Sequence, residues 1–253
     1  MPGVLDRKVA LVTGGGSGIG RATAVAMAHE GAAVMVADVA LDGAQATVST
    51  ISESGGRAIC VEADVSRTAD VERLIATAVD EFGRLDCAFN NAGVGGPLGS
   101  THEITEEAWA RVLAVNLTGV WLCMKHELAQ MLRQGGRGAI INTASVAGLV
   151  GGTSTPYAAS KHGIVGLTKN AALEYAARGI RINAVCPGVV LTPMVAGAFA
   201  SRPGLEERWR AAAPIGRFAA PEEVASAVVW LCSEAASYVT GVALPVDGGW
   251  VAQ

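Results

Sequence analysis

The chain has 253 residues, 51% of them hydrophobic and 17% charged, with 32 glycines and a formal net charge of −4. A folded chain of this length buries about 70–75% of its unfolded surface. The composition excludes a disordered chain, and the acidic balance leaves no basic footprint for nucleic acid. No apolar run approaches the ~18–20 residues that span a bilayer, and Asp6 and nearby glycines interrupt any secretory leader; a cytoplasmic protein without membrane partner is expected.

Strands are predicted at Lys8–Thr13, Ala33–Asp38, Ala58–Glu62, Leu85–Asn90, Ala139–Thr143, Arg181–Cys186 and Val242–Val246. Helices are predicted near 19–29, 42–54, 68–82, 105–133, 157–177 and 222–233. Several strand runs are apolar throughout, as in strands covered on both faces of a parallel sheet. Strict strand–helix alternation predicts right-handed crossovers and an α/β, Rossmann-type doubly wound sheet of about seven strands with helices on both faces. No linker, charge block or repeat divides the chain, so residues 1–253 read as one dinucleotide-binding domain. Between Gly188 and Pro221 more than 30 residues with four prolines separate the last crossover strand from its helix. An insertion of that length predicts a substrate lid at about 189–213.

The turn after the first strand reads Thr13-Gly14-Gly15-Gly16-Ser17-Gly18-Ile19-Gly20 and opens a helix. Glycines there permit positive φ and close backbone approach, and the helix N-terminus offers unpaired N–H groups to a pyrophosphate. Gly14, Ser17, Gly18, Ile19 and Gly20 are therefore candidate cofactor contacts. Asp38 ends the second strand, where a carboxylate accepts both adenosine ribose hydroxyls and repels a 2′-phosphate, so NAD is expected over NADP. Asp64 and Val65 follow the third strand, where the adenine should lie. The five cysteines form no CxxC pair and the four histidines no ligand spacing, so no metal site is expected.

TGGGSGIG at 13–20, NNAG at 90–93, Asn116, Ser145, YAASK at 157–161 and PG at 187–188 together resemble the short-chain dehydrogenase/reductase family, in order and over essentially the whole chain. The resemblance implies a catalytic tetrad of Asn116, Ser145, Tyr157 and Lys161. Tyr157 and Lys161 are i and i+4 and share a helix face. A tyrosine titrates near 10 in water, and a neighbouring ammonium should favour its ionised form. Tyr157 would then exchange the substrate hydroxyl proton, Ser145 would hold the substrate oxygen, and Lys161 would also bind the nicotinamide ribose. Asn116 would hold a water that links Lys161 to solvent. By position, Asn91, Ala92 and Gly93 would pass the adenosine side of the cofactor, with Asn90 partly structural. Pro187 and Gly188 would lie by the nicotinamide, the Val190 backbone would meet its carboxamide, and Thr192 would reach the amide or the pyrophosphate.

Candidate pocket walls at Val94–Leu98, Val146–Val150 and the lid are mostly apolar, which predicts a neutral secondary alcohol or its ketone as substrate. The alternatives are an NADPH-dependent 3-oxoacyl-thioester (acyl-carrier-protein) reductase, a sugar dehydrogenase, or a non-catalytic dinucleotide-binding protein. The resemblance also implies a homotetramer, and Trp250 near the tail is expected to be exposed in one subunit.

Overall fold

Seven short runs rich in Val, Ile and Ala pair side by side, all parallel, in the order β3-β2-β1-β4-β5-β6-β7. They are β1 (Val9–Thr13), β2 (Ala33–Asp38), β3 (Arg57–Glu62), β4 (Cys87–Asn90), β5 (Gly138–Thr143), β6 (Ile180–Pro187) and β7 (Ala243–Val246). The structure is a computed structural model describing residues 2–97 and 99–253; the pocket-wall position Leu98 lies outside the described residues. Strand order reverses at β1, which pairs with β2 on one side and β4 on the other. That reversal opens a crevice at the carboxyl ends of β1 and β4, where α/β sheets take ligands.

Alternate side chains leave each strand on opposite faces. Val12, Val34, Val36, Phe89 and Ile141 enter one core, which α1 (Gly18–His29) and α9 (Pro221–Cys232) close with Met27, Val224 and Val228. Leu11, Met35, Ala88 and Ile140 enter the other. There α3 (Thr68–Phe82), α5 (Gly119–Arg133) and α6 (Thr155–Tyr175) supply Leu74, Met124 and Ile164. Each buried aliphatic side chain of this kind contributes about 1.5–3 kcal/mol over its exposed state. α2 (Leu41–Glu53) packs beside α1 and β3 at the sheet edge.

The long helix expected at 105–133 is interrupted. α4 (Glu106–Leu113) and α5 are joined by a π turn at Ala114–Thr118, in which the Gly119 amide reaches back to the Ala114 carbonyl. The extra residue lets the buried Asn116 side chain accept from the Val94 amide (2.8 Å) and donate to the Val94 carbonyl (3.0 Å). A π turn of this kind is a frequent companion of functional sites.

The insertion before α9 folds into two short helices, α7 (Pro193–Ala200) and α8 (Leu205–Ala212). Phe199 packs edge-on against Trp209 at 5.7 Å and tilted against Phe218 at 5.4 Å, which ties both helices to the chain below. Trp250, expected at an exposed tail, is instead half-buried in the last helical turn, where it lines a small cavity with Gly188, Ile215 and Asp247. Among the described residues no helix is long and apolar enough to cross a membrane.

Candidate active site

The crevice above β1 and β4 holds a cleft of about 570 Å³. Gly14, Ser17, Gly18 and Ile19 line one side of it, Asp38, Asp64 and Val65 one end, and Asn91, Ala92 and Gly93 the floor. Tyr157, Lys161 and Thr192 stand at the opposite end. Gly14 and Gly18 have φ of 62° and 50°, the left-handed region that favours glycine. Gly20 lies behind the turn, where a Cβ would overlap the Gly14 carbonyl oxygen. The helix can thus start directly against the turn, its N–H groups aimed at the cleft.

Two side chains that the sequence reading passed over fix this turn. Thr47 donates to the Gly15 carbonyl at 2.8 Å, and the Arg21 guanidinium donates to the Gly16 carbonyl at 2.6 Å and to Thr47 at 3.1 Å. The signal was an Arg in the first turn of α1 and a Thr within α2. Thr13 is a third, its hydroxyl accepting the amides of Asn91 (3.0 Å) and Ala92 (3.2 Å) and so joining the β1 and β4 ends of the floor. Arg111 is a fourth, lining the cleft beside Asp64, Val65 and Val115.

Asp38 is fixed before any ligand contact. One carboxylate oxygen accepts the Gly16 amide and the other the Ala40 amide, both at 2.9 Å. An ionised carboxylate has about four lone-pair sites, so both oxygens keep acceptor capacity beyond these two amides.

At the other end, Ser145 and Tyr157 meet over β5. Ser145 follows β5 and accepts the Ala147 amide at 3.1 Å, which leaves its hydroxyl hydrogen to donate. Burial pushes the Tyr157 phenol above its ordinary range, and the hydrogen bond from Ser145 pulls the other way. Lys161 lies on the same helix face, its ammonium 5.5 Å from the Tyr157 ring centre. It donates to the Thr143 carbonyl at 2.7 Å, and burial lowers it to about 8. Lys161 is directed at a main-chain carbonyl, and burial sets the direction of the Tyr157 shift.

The Asn116 side-chain amide is engaged by Val94 on both atoms and by the Ser160 hydroxyl at 3.4 Å, so it anchors the loop after β4. Asn116 is fully buried, and Ser145 is nearly so, hydrogen-bonded to Tyr157 at the edge of the cleft. Pro187, Gly188 and Val190 lie outside the cleft lining. Val190 bridges to Ala219 through the Val189 carbonyl and the Leu191 amide, so its own amide and carbonyl take no part in that bridge.

Beneath the floor runs a buried polar chain. Asn90 donates to Glu127 at 3.0 Å and to Asn142 at 3.1 Å, and Asn142 donates to Thr168 at 3.0 Å. Burial raises Glu127 to about 8. The chain ties β4, β5, α5 and α6 together directly under Asn91 and Thr143, so Asn90 is structural, as half expected.

Comparison with known proteins agrees with this geometry. A family model described as enoyl-(acyl carrier protein) reductase matches residues 14–251. Cyclohexanol dehydrogenase of Acinetobacter sp. (strain SE19) is 46% identical over 254 residues, covering 100% of this chain and 98% of that protein. The crystal structure of levodione reductase superposes with a TM-score of 0.95 at 41% identity, covering 98% of this chain and 99% of that one. A structure described as a 2-deoxy-D-gluconate 3-dehydrogenase from Agrobacterium tumefaciens, with bound NADP, gives 0.90 at 34% identity and covers 98% of both chains.

Proposed function

The chain belongs to the short-chain dehydrogenase/reductase family and is an oxidoreductase of secondary alcohols and ketones that uses a nicotinamide dinucleotide; on that premise we propose that it is an NAD-dependent dehydrogenase of neutral, apolar ring alcohols. The observation that carries the reaction is the meeting of Tyr157, Ser145 and Lys161 at one end of a cleft whose other end is the glycine turn. The cleft fits a dinucleotide: the turn presents helix N–H groups to a pyrophosphate, and the fixed carboxylate of Asp38 stands where a ribose would lie. When bound, the nicotinamide accepts or returns the hydride.

The chain's own residues handle the proton and the position. The Ser145 hydroxyl donates to the substrate oxygen and holds it against Tyr157. Tyr157, held protonated by burial, is the general acid for ketone reduction and must lose its proton to act as base on an alcohol. Lys161 holds the Thr143 carbonyl and, through it, the end of β5 from which Ser145 projects. The ring preference is supported by the apolar walls and by the cyclohexanol dehydrogenase relative.

The Asp38 carboxylate would repel a 2′-phosphate, which supports NAD. The neighbour solved with NADP favours the second reading, an NADPH-dependent reductase. The test is cyclohexanol oxidation with NAD⁺ and NADP⁺ by wild type and Asp38→Ala. Turnover with NAD⁺, together with a shift toward NADP⁺ in the variant, supports the proposal. A wild-type preference for NADP⁺ refutes the cofactor assignment. Residues 1–253 would act as one domain with its lid, in the cytoplasm, as a homotetramer joined through the exposed apolar side chains of α5, α6 and α9.

A further inference from the structure

Ser154 precedes α6 at the position where a serine hydroxyl ordinarily caps the helix, yet it makes no cap hydrogen bond. It is 8% exposed, and its hydroxyl has no partner. Buried hydroxyls are nearly always hydrogen-bonded, so an unpartnered one calls for an explanation. Ser154 stands one helical turn before Tyr157 on the same face of α6. Its hydroxyl lies against Gly96: a Cβ on that glycine would overlap it, and would come within 3.2 Å of the Tyr157 Cβ. Gly96 continues the strip of Gly93 and Val94 that walls the cleft beside Tyr157.

We infer that Ser154 is a specificity-determining residue whose hydroxyl binds a second oxygen of the substrate, across the ring from the carbon that reacts at Tyr157. The inference rests on the proposed ring-alcohol reading and deepens it. The three residues from Ser154 to Tyr157 rise about 4.5 Å along the helix, which sets the two side chains side by side along one edge of a six-membered ring. The rest of the wall is apolar, so a second substrate oxygen entering there would lose its water without replacement unless Ser154 supplies a partner. The segment over the hydroxyl is main chain alone: a Cβ at Gly96 would overlap it, while one at Gly95 would meet nothing within 4 Å. Beyond it, the Thr101 and Thr155 hydroxyls share a hydrogen bond of 2.9 Å that anchors the loop to the start of α6. Ser154 thus sits under the main chain of Gly96, next to the reacting residue.

The experiment compares kcat/KM for cyclohexanol and for cyclohexane-1,4-diol in wild type and Ser154→Ala, with melting temperatures of both proteins. Removing one neutral hydrogen bond should lower the diol-to-cyclohexanol ratio by about 3–10-fold. Because the hydroxyl makes no bond within the fold, the variant should melt no lower than wild type and up to about 2–4 °C higher. An unchanged ratio overturns the inference while leaving the ring-alcohol reading intact. A fall in melting temperature with equal losses on both substrates overturns it too, because the hydroxyl would then serve the fold. Failure of wild type to oxidise either alcohol removes the underlying reading and the inference with it.

Discussion

Half-buried Tyr157 and fully buried Glu127 are both acids pushed upward, and they separate by what they touch. Tyr157 faces the cleft, so its protonation governs chemistry. Alcohol oxidation should accelerate from neutral to alkaline pH while ketone reduction slows, because the base form is required in one direction and the acid form in the other. Tyr157→Phe should lose about 10²–10⁴-fold in kcat in both directions, with cofactor binding followed by fluorescence left intact. A variant that retains more than a tenth of wild-type turnover would remove Tyr157 from the proton step. Glu127 lies in the buried polar chain, so its protonation governs stability. Its carboxyl sits at about 8 against 4.5 in the unfolded chain, so the folded state binds the extra proton between those values. Stability should fall as pH rises through that window, and Glu127→Gln should flatten the fall and melt higher at alkaline pH. Equal slopes for the two proteins in denaturant titrations across that window would contradict the assignment.

Among the elements, the strands and the glycine turn were legible because their causes are local. An apolar run such as Val9–Val12 or Val34–Ala37 reads as a doubly covered strand without knowledge of its neighbours. The interruption of the 105–133 helix was not legible, since the π turn answers a contact between Asn116 and Val94 from a different element. The Arg21–Thr47 brace escaped for the same reason, as it joins α1 to α2 across the turn. The positions of Ser145, Tyr157 and Lys161 could be read from spacing, but the direction of the Tyr157 shift depends on burial, which no spacing encodes. At this scale Gly20→Ala should cost about 1–3 kcal/mol in denaturant melts and weaken dinucleotide binding, because the added methyl must push the turn away from α1. In the lid, Phe199→Ala removes the shared ring between Trp209 and Phe218. It should raise KM several-fold with kcat little changed, as steady-state kinetics would show; unaltered KM would mean the lid's aromatic brace does not shape the site.

The molecule as a whole leaves large apolar side chains uncovered: Trp121 on α5 is 47% exposed, Leu173 on α6 83%, and Trp230 on α9 40%. Isolated exposed apolar residues are ordinary, but two tryptophans and a leucine on outward helices are what an interface between copies requires. The proposed homotetramer predicts four copies by sedimentation, and Trp121→Glu combined with Leu173→Glu should yield smaller species. A wild-type monomer would end that reading.

The strand order carries a consequence for how the chain reaches this state. β1 is central, but its second neighbour, β4, lies about 77 residues further along, as the pairing of Ala10 with Cys87 records. Loop closure over such a separation must precede any reward from the pairing, which makes parallel sheets of this kind slow to form. During synthesis one edge of β1 therefore stays open until β4 has emerged, and the crevice between them is among the last features to exist. Nascent chains that stop short of Asn90 should expose that edge and be the aggregation-prone species, while chains that extend past it should not.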